Sequence, residues 1–284
     1  MMVRAAASDA DGVFLDLEDA VAPPAKDAAR LAAARALREL DWGSKTRAVR
    51  VNAVDTAWCH RDLTTVVEAA GDVLDLVVLP KVTTERDVWF VDTLLSELEL
   101  GLGLPPGGIG LELLVEEAAA LARVEAIASC CTRTCSLVLG TGDLSASLHL
   151  PPDAGATDPG RTWGYARTRL VIAARAAGTS PVDGPCGRLD DVETCRRDAL
   201  SARAAGMTGK WVIHPDQIPV VNAVFSPTER EVATATEVVR ALDEAAAAGR
   251  GAARHAGRMI DAANGRVHRE LLRRAGEMGV PTDG

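Results

Sequence analysis

The amino-acid sequence predicts an α/β fold with a parallel sheet, either a barrel or an open doubly wound sheet. Short runs rich in Val, Ile and Leu alternate with longer segments rich in Ala, Arg and Glu, whose apolar residues recur at helical spacing. The runs begin at residues 13, 48, 76, 109, 136, 180 and 211. That spacing of roughly 30 residues fits one strand, one helix and two loops per unit.

Seven strands are predicted, one fewer than an eight-stranded barrel needs. They are 13–17 (VFLDL), 48–52 (AVRVN), 76–80 (LVVLP), 109–115 (IGLELLV), 136–140 (SLVLG), 180–183 (SPVD) and 211–214 (WVIH). The segment before the first of them, Val3 to Ala10, is typical of the end of a helix.

After Asn222 the pattern becomes helical. We expect a helix over 227–248, a loop at AAAAGRGAAR and a second helical stretch over 258–278, with no further strand. The predicted organisation is therefore a catalytic β/α domain at 1–224 and a C-terminal helical extension or lid at 225–284.

Composition excludes several classes of partner. Asp and Glu number 40 against 31 Lys and Arg, giving a formal net charge of −9, and aromatic residues make up 3% of the chain. A nucleic-acid partner is therefore not expected. The sequence contains no apolar run long enough to cross a bilayer, and its start lacks the apolar segment of a secretory signal, so a cytoplasmic protein with no membrane partner is expected.

Acidic residues follow the predicted strands, where working residues stand in parallel β/α folds. They are Glu18 and Asp19, Glu116 and Glu117, Asp143, and Asp183. Carboxylates gathered on one face favour a hard divalent cation such as Mg²⁺, although each one alone is also a common helix-capping residue.

Two kinds of basic residue stand out beside these acids. Arg50 lies inside an apolar run, where it would bind a substrate carboxylate or form a salt bridge to Glu18 or Asp19. Lys81 follows a strand and is a candidate Schiff-base lysine, whereas Lys210 begins its predicted strand and is expected on the opposite, stabilising face.

Nine stretches together resemble the citrate lyase β-subunit and malyl-CoA lyase family, within the wider HpcH/HpaI aldolases. They stand in the family's order and spacing over most of the chain. They are LDLEDAVAPPAKDAAR (15–30), RVN (50–52), LPK (79–81), LLVEEAAAL (113–121), LVLGTGDLSASL (137–148), YARTRLVIAARAAG (165–178), DGPCG (183–187), GKWVIHPDQIPVVN (209–222) and GRMID (257–261).

The resemblance implies a TIM (β/α)8-type barrel, here lacking the family's opening R-S-x-L-F-x-P strand, with a C-terminal helical extension. It also implies roles for individual residues. Glu116 and Asp143 would hold Mg²⁺, and Arg50 would bind the substrate carboxylate and the developing enolate.

Further roles follow from the same resemblance. Glu18 and Asp19 would surround the metal's waters and Arg50, and Glu116, Asp19 and Gly142 would contact substrate. Asp261 would serve as acid or base from a neighbouring subunit's lid. Lys26 and Arg30 would bind phosphate or form structural pairs, and Glu117 stands where relatives usually carry Thr.

The implied chemistry is reversible Claisen cleavage of a citryl-CoA or malyl-CoA type thioester into acetyl-CoA and a 2-oxo acid, in a homotrimer. The base is a bound water, Glu18 or Asp261. The thioester is carried by CoA or by an acyl carrier partner. The alternatives are a malyl-CoA thioesterase or malate synthase-like activity, a Lys81 Schiff-base aldolase, and a catalytically silent homologue acting as a partner subunit.

Overall fold

The computed structural model describes residues 1–152 and 154–281. It divides the chain into two compact units, Met1–Asn222 and Ala223–Gly284. In the described residues, no helix has the length and apolar character that crossing a bilayer requires. The predicted boundary between a catalytic domain and a lid stays a prediction about function.

A curled, parallel seven-stranded sheet forms the centre of the first unit. Its strands are ordered as in the chain, and each pairs in parallel with the next. The strands are β1 (Gly12–Asp16), β2 (Thr46–Arg50), β3 (Leu76–Leu79), β4 (Gly110–Val115), β5 (Thr134–Leu139), β6 (Ser180–Asp183) and β7 (Gly209–Lys210). The predicted barrel-type α/β fold is thereby confirmed, with β1 and β7 as the edges of the described sheet.

Helices precede, connect and follow the strands, and parallel pairing requires the connecting ones. They are α1 (Met2–Ala6), α2 (Lys26–Glu39), α3 (Cys59–Ala70), α4 (Glu85–Leu102), α5 (Ala118–Ala122), α6 (Val124–Ser129), α7 (Thr141–Ser147), α8 (Ala154–Thr157), α9 (Pro159–Ala177), α10 (Val192–Ala205) and α11 (Ile218–Phe225). The chain encodes their limits locally: α4 begins at a Thr84–Asp87 capping box and ends at Gly103, whose φ is 67°.

The last strand differs from the prediction. The apolar run at 211–214 was expected to be paired, but pairing occurs at Gly209 and Lys210, opposite Val182 and Asp183. The chain then leaves the sheet, and the Trp211 indole packs against Phe14 of β1 with ring centroids 4.3 Å apart. Trp211, the first residue of the apolar run, therefore contacts the opposite edge strand from a position just after β7.

The second unit contains a β-hairpin that the sequence analysis missed. Helix α12 (Glu229–Ala247) precedes antiparallel strands β8 (Ala252–His255) and β9 (Arg258–Asp261), and helix α13 (Ala262–Glu277) follows. The expected loop at AAAAGRGAAR therefore runs into a strand at its last three residues, and the expectation of no further strand was wrong. The helical stretch expected over 258–278 is confirmed from Ala262 onward, and its first four residues form β9 instead. The turn at Ala256 and Gly257 has φ values of 46° and 77°, and Ala is not a residue that signals such a turn.

Candidate active site

The carboxyl end of β1 is organised by Asp16, which the sequence analysis did not select. Its carboxylate accepts hydrogen bonds from the backbone N–H groups of Glu18 and Ala20, at 2.9 and 3.1 Å. It also accepts two hydrogen bonds from the Arg50 guanidinium, at 2.7 and 2.6 Å. Burial alone would raise the pKa of Asp16, but the hydrogen bonds and charge of Arg50 lower it. Asp16 therefore stays ionised and fixes both the position of the Arg50 guanidinium and the backbone of residues 17–20, which we call the acidic loop.

Arg50 lies beside Asp16 in the β1–β2 register and reaches Glu18 as well. Its Nη1 is 3.0 Å from Glu18 Oε2, and its guanidinium carbon is 5.7 Å from the centre of the Phe14 ring. The salt bridge to Glu18 that the sequence suggested is therefore present. These contacts engage Nε, Nη1 and Nη2, and the bidentate pairing with Asp16 fixes the plane of the guanidinium.

Buried polar side chains support the acidic loop: Lys26 and Asn52 bind its backbone, and Arg30 forms an ion pair nearby. Lys26 Nζ donates to the carbonyls of Leu17 and Glu18, at 2.8 and 3.0 Å. Asn52, from the RVN stretch, donates to the Leu17 carbonyl at 2.9 Å. Arg30 pairs with Asp62 at 2.6 Å. In this structure Lys26 and Arg30 therefore form the structural pairs that were one of their two expected roles.

Lys81 joins three loops of the site. Its backbone has a φ of 51°, in the left-handed region, and its N–H donates to Glu116 Oε1 at 2.8 Å. Its ammonium group lies 2.8 Å from Glu18 Oε1 and 3.3 Å from Asp19 Oδ1. Burial alone would lower the pKa of Lys81, but these two carboxylates raise it. A Schiff-base lysine has to lose its proton, so this environment disfavours that alternative.

Glu116 follows β4 and is only 2% exposed. Burial, together with the negative charges of Asp143 and Glu18, raises the pKa of Glu116 to about 8. A Cβ atom at Gly140 would lie 2.6 Å from Glu116 Oε2, so the glycine leaves the room that this carboxylate occupies. The carboxylates of the site thus repel one another, and a bound cation would relieve that repulsion.

Asp143 and Gly142 lie in the first turn of α7, directly after β5. Asp143 is half-buried and Gly142 is exposed. Gly140, the N-cap of α7, lies against the Glu116 carboxylate, so the helix turn that carries Asp143 begins beside Glu116. We call this cluster the acidic mouth. Its members are Asp16, Glu18, Asp19, Arg50, Lys81, Glu116 and Asp143.

The donor set of the acidic mouth fits Mg²⁺. Glu116 and Asp143 offer only oxygen atoms, and within residues 1–152 and 154–281 no group of three or more His, Cys, Asp or Glu side chains forms a complete metal cage. Mg²⁺ characteristically takes one or two protein carboxylates and keeps waters or substrate oxygens as its other ligands. An incomplete pair of carboxylates is therefore the expected form of such a site.

Asp183 does not join the acidic mouth, contrary to expectation. It is fully buried, accepts two hydrogen bonds from Arg167 at 2.9 Å, and pairs with Lys210. Lys210 also pairs with Asp198 at 2.7 Å. We call Arg167, Asp183, Asp198 and Lys210 the buried ion-pair network.

The expectation for Lys210 was also wrong. It ends β7 rather than beginning a strand, because pairing with β6 begins two residues earlier than the apolar run suggested. The conclusion that it is structural holds, since its ammonium group is enclosed by Asp183, Asp198 and the carbonyl of Gly184.

Asp261 lies in the second unit, where its visible role is structural. It is the N-cap of α13 and accepts hydrogen bonds from the backbone N–H groups of Ala263 and Asn264, at 2.9 and 3.3 Å. Its expected acid or base role stays a prediction.

Glu112 is a second acid that the sequence analysis missed. It lies within β4, four residues before Glu116, and accepts hydrogen bonds from Ser136 at 2.5 Å and from the Trp211 indole at 3.0 Å. Burial raises the pKa of Glu112 although both hydrogen bonds lower it. The signal was available: a lone Glu at an alternate position of an apolar strand faces the same side as Glu116.

Comparison with known proteins agrees with this arrangement. The family profile described as HpcH/HpaI aldolase/citrate lyase matches residues 1–215. The chain belongs to the HpcH/HpaI aldolase/citrate lyase family. It is 38% identical to the L-malyl-CoA/β-methylmalyl-CoA lyase of Cereibacter sphaeroides, over 96% of this chain and 89% of that protein. It is 34% identical to the citrate lyase β-subunit of Leuconostoc mesenteroides subsp. cremoris, over 89% and 81%. The predicted class, a carbon–carbon lyase, is thereby confirmed.

Solved structures of this family share the fold. A citrate lyase from Burkholderia xenovorans superposes with a TM-score of 0.89 at 26% identity, covering 99% of this chain and 90% of that one. The CitE protein of Mycobacterium tuberculosis, solved with magnesium, acetoacetate and coenzyme A, gives a TM-score of 0.74 at 32% identity, covering 96% and 91%.

Proposed function

We propose that this HpcH/HpaI aldolase/citrate lyase family member is a Mg²⁺-dependent lyase that cleaves a 3-hydroxyacyl-CoA of malyl-CoA or citryl-CoA type. The products would be acetyl-CoA and a 2-oxo acid, glyoxylate or oxaloacetate. The observation that carries the proposal is the cluster at the strand ends: Lys81 links Glu116 to Glu18, Glu18 pairs with Arg50, and α7, which carries Asp143, begins beside Glu116. The 38% identity to a malyl-CoA lyase over nearly the whole chain supports the malyl-CoA type first.

Glu116 and Asp143 would hold the Mg²⁺ ion. When bound, Mg²⁺ supplies Lewis-acid polarisation of the oxo-acid oxygens. The residues of the chain supply the rest of the electrostatic environment. Arg50, with its plane fixed by Asp16, presents a positive charge that stabilises negative charge developing on the thioester enolate.

A base has to take the hydroxyl proton of the substrate during cleavage. In the first unit we assign this role to Glu18, whose carboxylate lies 3.0 Å from Arg50 and 2.8 Å from Lys81; burial raises its pKa even though Lys81 and Arg50 lower it. We retain Asp261 and a bound water as alternative bases. Substrate contacts at Asp19 and Gly142, a lid at 225–284 and a homotrimer also belong to this proposal.

Product analysis tests the proposal directly. Purified protein is incubated with malyl-CoA and with citryl-CoA, in Mg²⁺ and in EDTA, and acetyl-CoA, free CoA and the oxo acid are quantified. We expect acetyl-CoA and the oxo acid in equal amounts, in Mg²⁺ only. Free CoA with malate would indicate a thioesterase, and no turnover by folded protein would indicate a silent homologue.

Asp143→Asn is the decisive variant. We expect the Mg²⁺-dependent rate to fall on the order of 10³-fold, because the variant loses a charged metal ligand, while thermal stability changes little. Asp41→Asn, on an exposed turn of the same unit, is the matched control and should retain the wild-type rate. Unchanged turnover in Asp143→Asn would overturn the metal assignment.

A further inference from the structure

Glu117 and Ser147 form a contact beside the acidic mouth that no step above uses. Ser147 Oγ donates to Glu117 Oε2 at 2.7 Å and accepts from the backbone N–H of Ala118 at 3.0 Å. Ala118 is the first residue of α5, and the N-cap residue Glu117 makes no side-chain cap of its own. Ser147, the last residue of α7, thus supplies the acceptor for an N–H group that has no partner within its own helix.

The Glu117–Ser147 contact joins the same two parts of the chain that carry the proposed metal ligands. Glu116 and Glu117 are consecutive residues at the end of β4, and Asp143 and Ser147 are one turn apart on the same face of α7. At the start of α7, its N-cap Gly140 lies against the Glu116 carboxylate, where an added Cβ atom would lie 2.6 Å from Oε2, and at its end Ser147 donates to Glu117 Oε2 at 2.7 Å. The two pairs therefore connect the same two elements side by side.

Helix α7 is held by the fully buried Leu144 in its middle and by this contact at its C-terminal end. It has seven residues, a length at which a helix has little stability of its own. Its other hydroxyl contact, from Ser145 Oγ to the Thr141 carbonyl at 2.8 Å, stays within the helix and fixes nothing outside it. The Ser147 hydroxyl instead anchors the C-terminal end of α7 to the end of β4.

We propose that Glu117 and Ser147 are positioning residues whose hydrogen bond sets the separation of the Glu116 and Asp143 carboxylates and thereby the affinity for Mg²⁺. The inference rests on the proposed metal site, and it assigns a role to a glutamate that the site itself does not use. Removing a group that orients a metal ligand typically weakens metal affinity or activity about 10- to 100-fold.

Calorimetric titration of the full-length protein with Mg²⁺ tests the inference. Ser147→Ala should bind Mg²⁺ about 10-fold more weakly than wild type. Ser147→Thr keeps a hydroxyl and should restore most of the affinity. Ser145→Ala, two residues away in the same helix, is the matched control and should bind as wild type does.

Glu117 variants separate geometry from charge. Glu117→Gln keeps a hydrogen-bond acceptor and should bind Mg²⁺ nearly as well as wild type, whereas a purely electrostatic role of Glu117 predicts weaker binding. The double variant Glu117→Ala/Ser147→Ala should bind Mg²⁺ no more weakly than Ser147→Ala alone, because each substitution removes the same Glu117–Ser147 hydrogen bond. In turnover assays, Ser147→Ala should recover its kcat at raised Mg²⁺ concentration.

The outcomes distinguish the two proposals. Wild-type protein that binds Mg²⁺, with Ser147→Ala equal to Ser145→Ala, overturns the positioning role alone. A Ser147→Ala variant that only melts at lower temperature, with unchanged Mg²⁺ affinity, has the same meaning. Wild-type protein that binds no Mg²⁺ overturns the metal site and this inference together.

Discussion

The acidic mouth and the buried ion-pair network are built from the same residue types but differ in charge balance. The network contains two acids and two bases, and each acid forms an ion pair with each base. The mouth sets five acids around two bases. Its acids are Asp16, Glu18, Asp19, Glu116 and Asp143, and its bases are Arg50 and Lys81.

The pKa values of one acid from each region, Asp198 in the network and Glu116 in the mouth, are shifted in opposite directions as a result. In the network, burial alone would raise the pKa of Asp198, but Lys210 and Arg167 lower it. In the mouth, burial raises the pKa of Glu116, and neighbouring acids add to that effect. Carboxylates at strand ends therefore do not identify a site by themselves. An uncompensated excess of them marks a candidate functional site, because the buried carboxyl groups then either stay protonated or bind a cation.

Breaking the charge balance of the network should have the largest effect. Arg167→Met leaves Asp183 and Asp198 buried with one base fewer, so we expect the free energy of unfolding to fall by about 3–5 kcal/mol. Urea unfolding monitored by circular dichroism measures it. Arg169→Met, two residues along the same helix, removes an exposed pair with Glu125 and should change stability little. Equal effects of the two substitutions would contradict the comparison.

Supplying the missing charge to the mouth should have the next largest effect. Mg²⁺ at 100 times its dissociation constant should stabilise the wild-type protein by about 2.7 kcal/mol, because it binds the folded state. Thermal unfolding with and without Mg²⁺ measures the shift. Asp143→Asn should lose it, whereas Asp198→Asn should keep it if folded. A shift that survives in Asp143→Asn would place the cation elsewhere.

Changing pH should have the smallest effect and an opposite sign at two glutamates. The pKa of Glu116 is raised from 4.5 to about 8, so its favourable contribution to metal-free stability is complete below pH 4.5 and is lost as pH rises through 8. Between pH 7 and 8, in EDTA, wild type should therefore lose about 1 kcal/mol relative to Glu116→Gln.

Glu99 provides the control for that measurement. Burial alone would raise the pKa of Glu99, but its hydrogen bonds from Arg133 and from backbone N–H groups lower it. Its contribution is therefore present above pH 4.5 and is lost as pH falls through the lowered pKa. Glu99→Gln should destabilise the protein at pH 7, and stability of both variants equal to wild type at every pH would contradict these assignments.

Periodicity predicted the sheet because each strand is a local pattern. All seven strands are present, and six overlap their predicted ranges. The seventh was displaced because Trp211 is apolar for a tertiary reason, its stacking on Phe14. The hairpin of the second unit was missed because its turn places Ala256 at a positive φ, which only the folded chain reveals.

Part of the acidic mouth could be predicted from the sequence, because several of its residues directly follow predicted strands. Glu18, Glu116 and Arg50 were selected from their positions, and the structure places them together. Asp183 was selected by the same rule and is structural, because Arg167 reaches it from α9, a partner that no local pattern connects with it. Asp16 was overlooked because the predicted strand ran to Leu17 and so placed Asp16 inside it. In the structure β1 ends at Asp16, which is adjacent to Arg50 in register.

The backbone conformation of Lys81 couples two carboxylates of the acidic mouth. A non-glycine residue in the left-handed region is strained, so the surrounding structure has to hold it there. In that conformation its backbone holds Glu116 while its side chain holds Glu18. Glycine would keep the first contact and lose the second. The loops after β1, β3 and β4 are thus coupled through one residue, and displacement of either carboxylate is transmitted to the other.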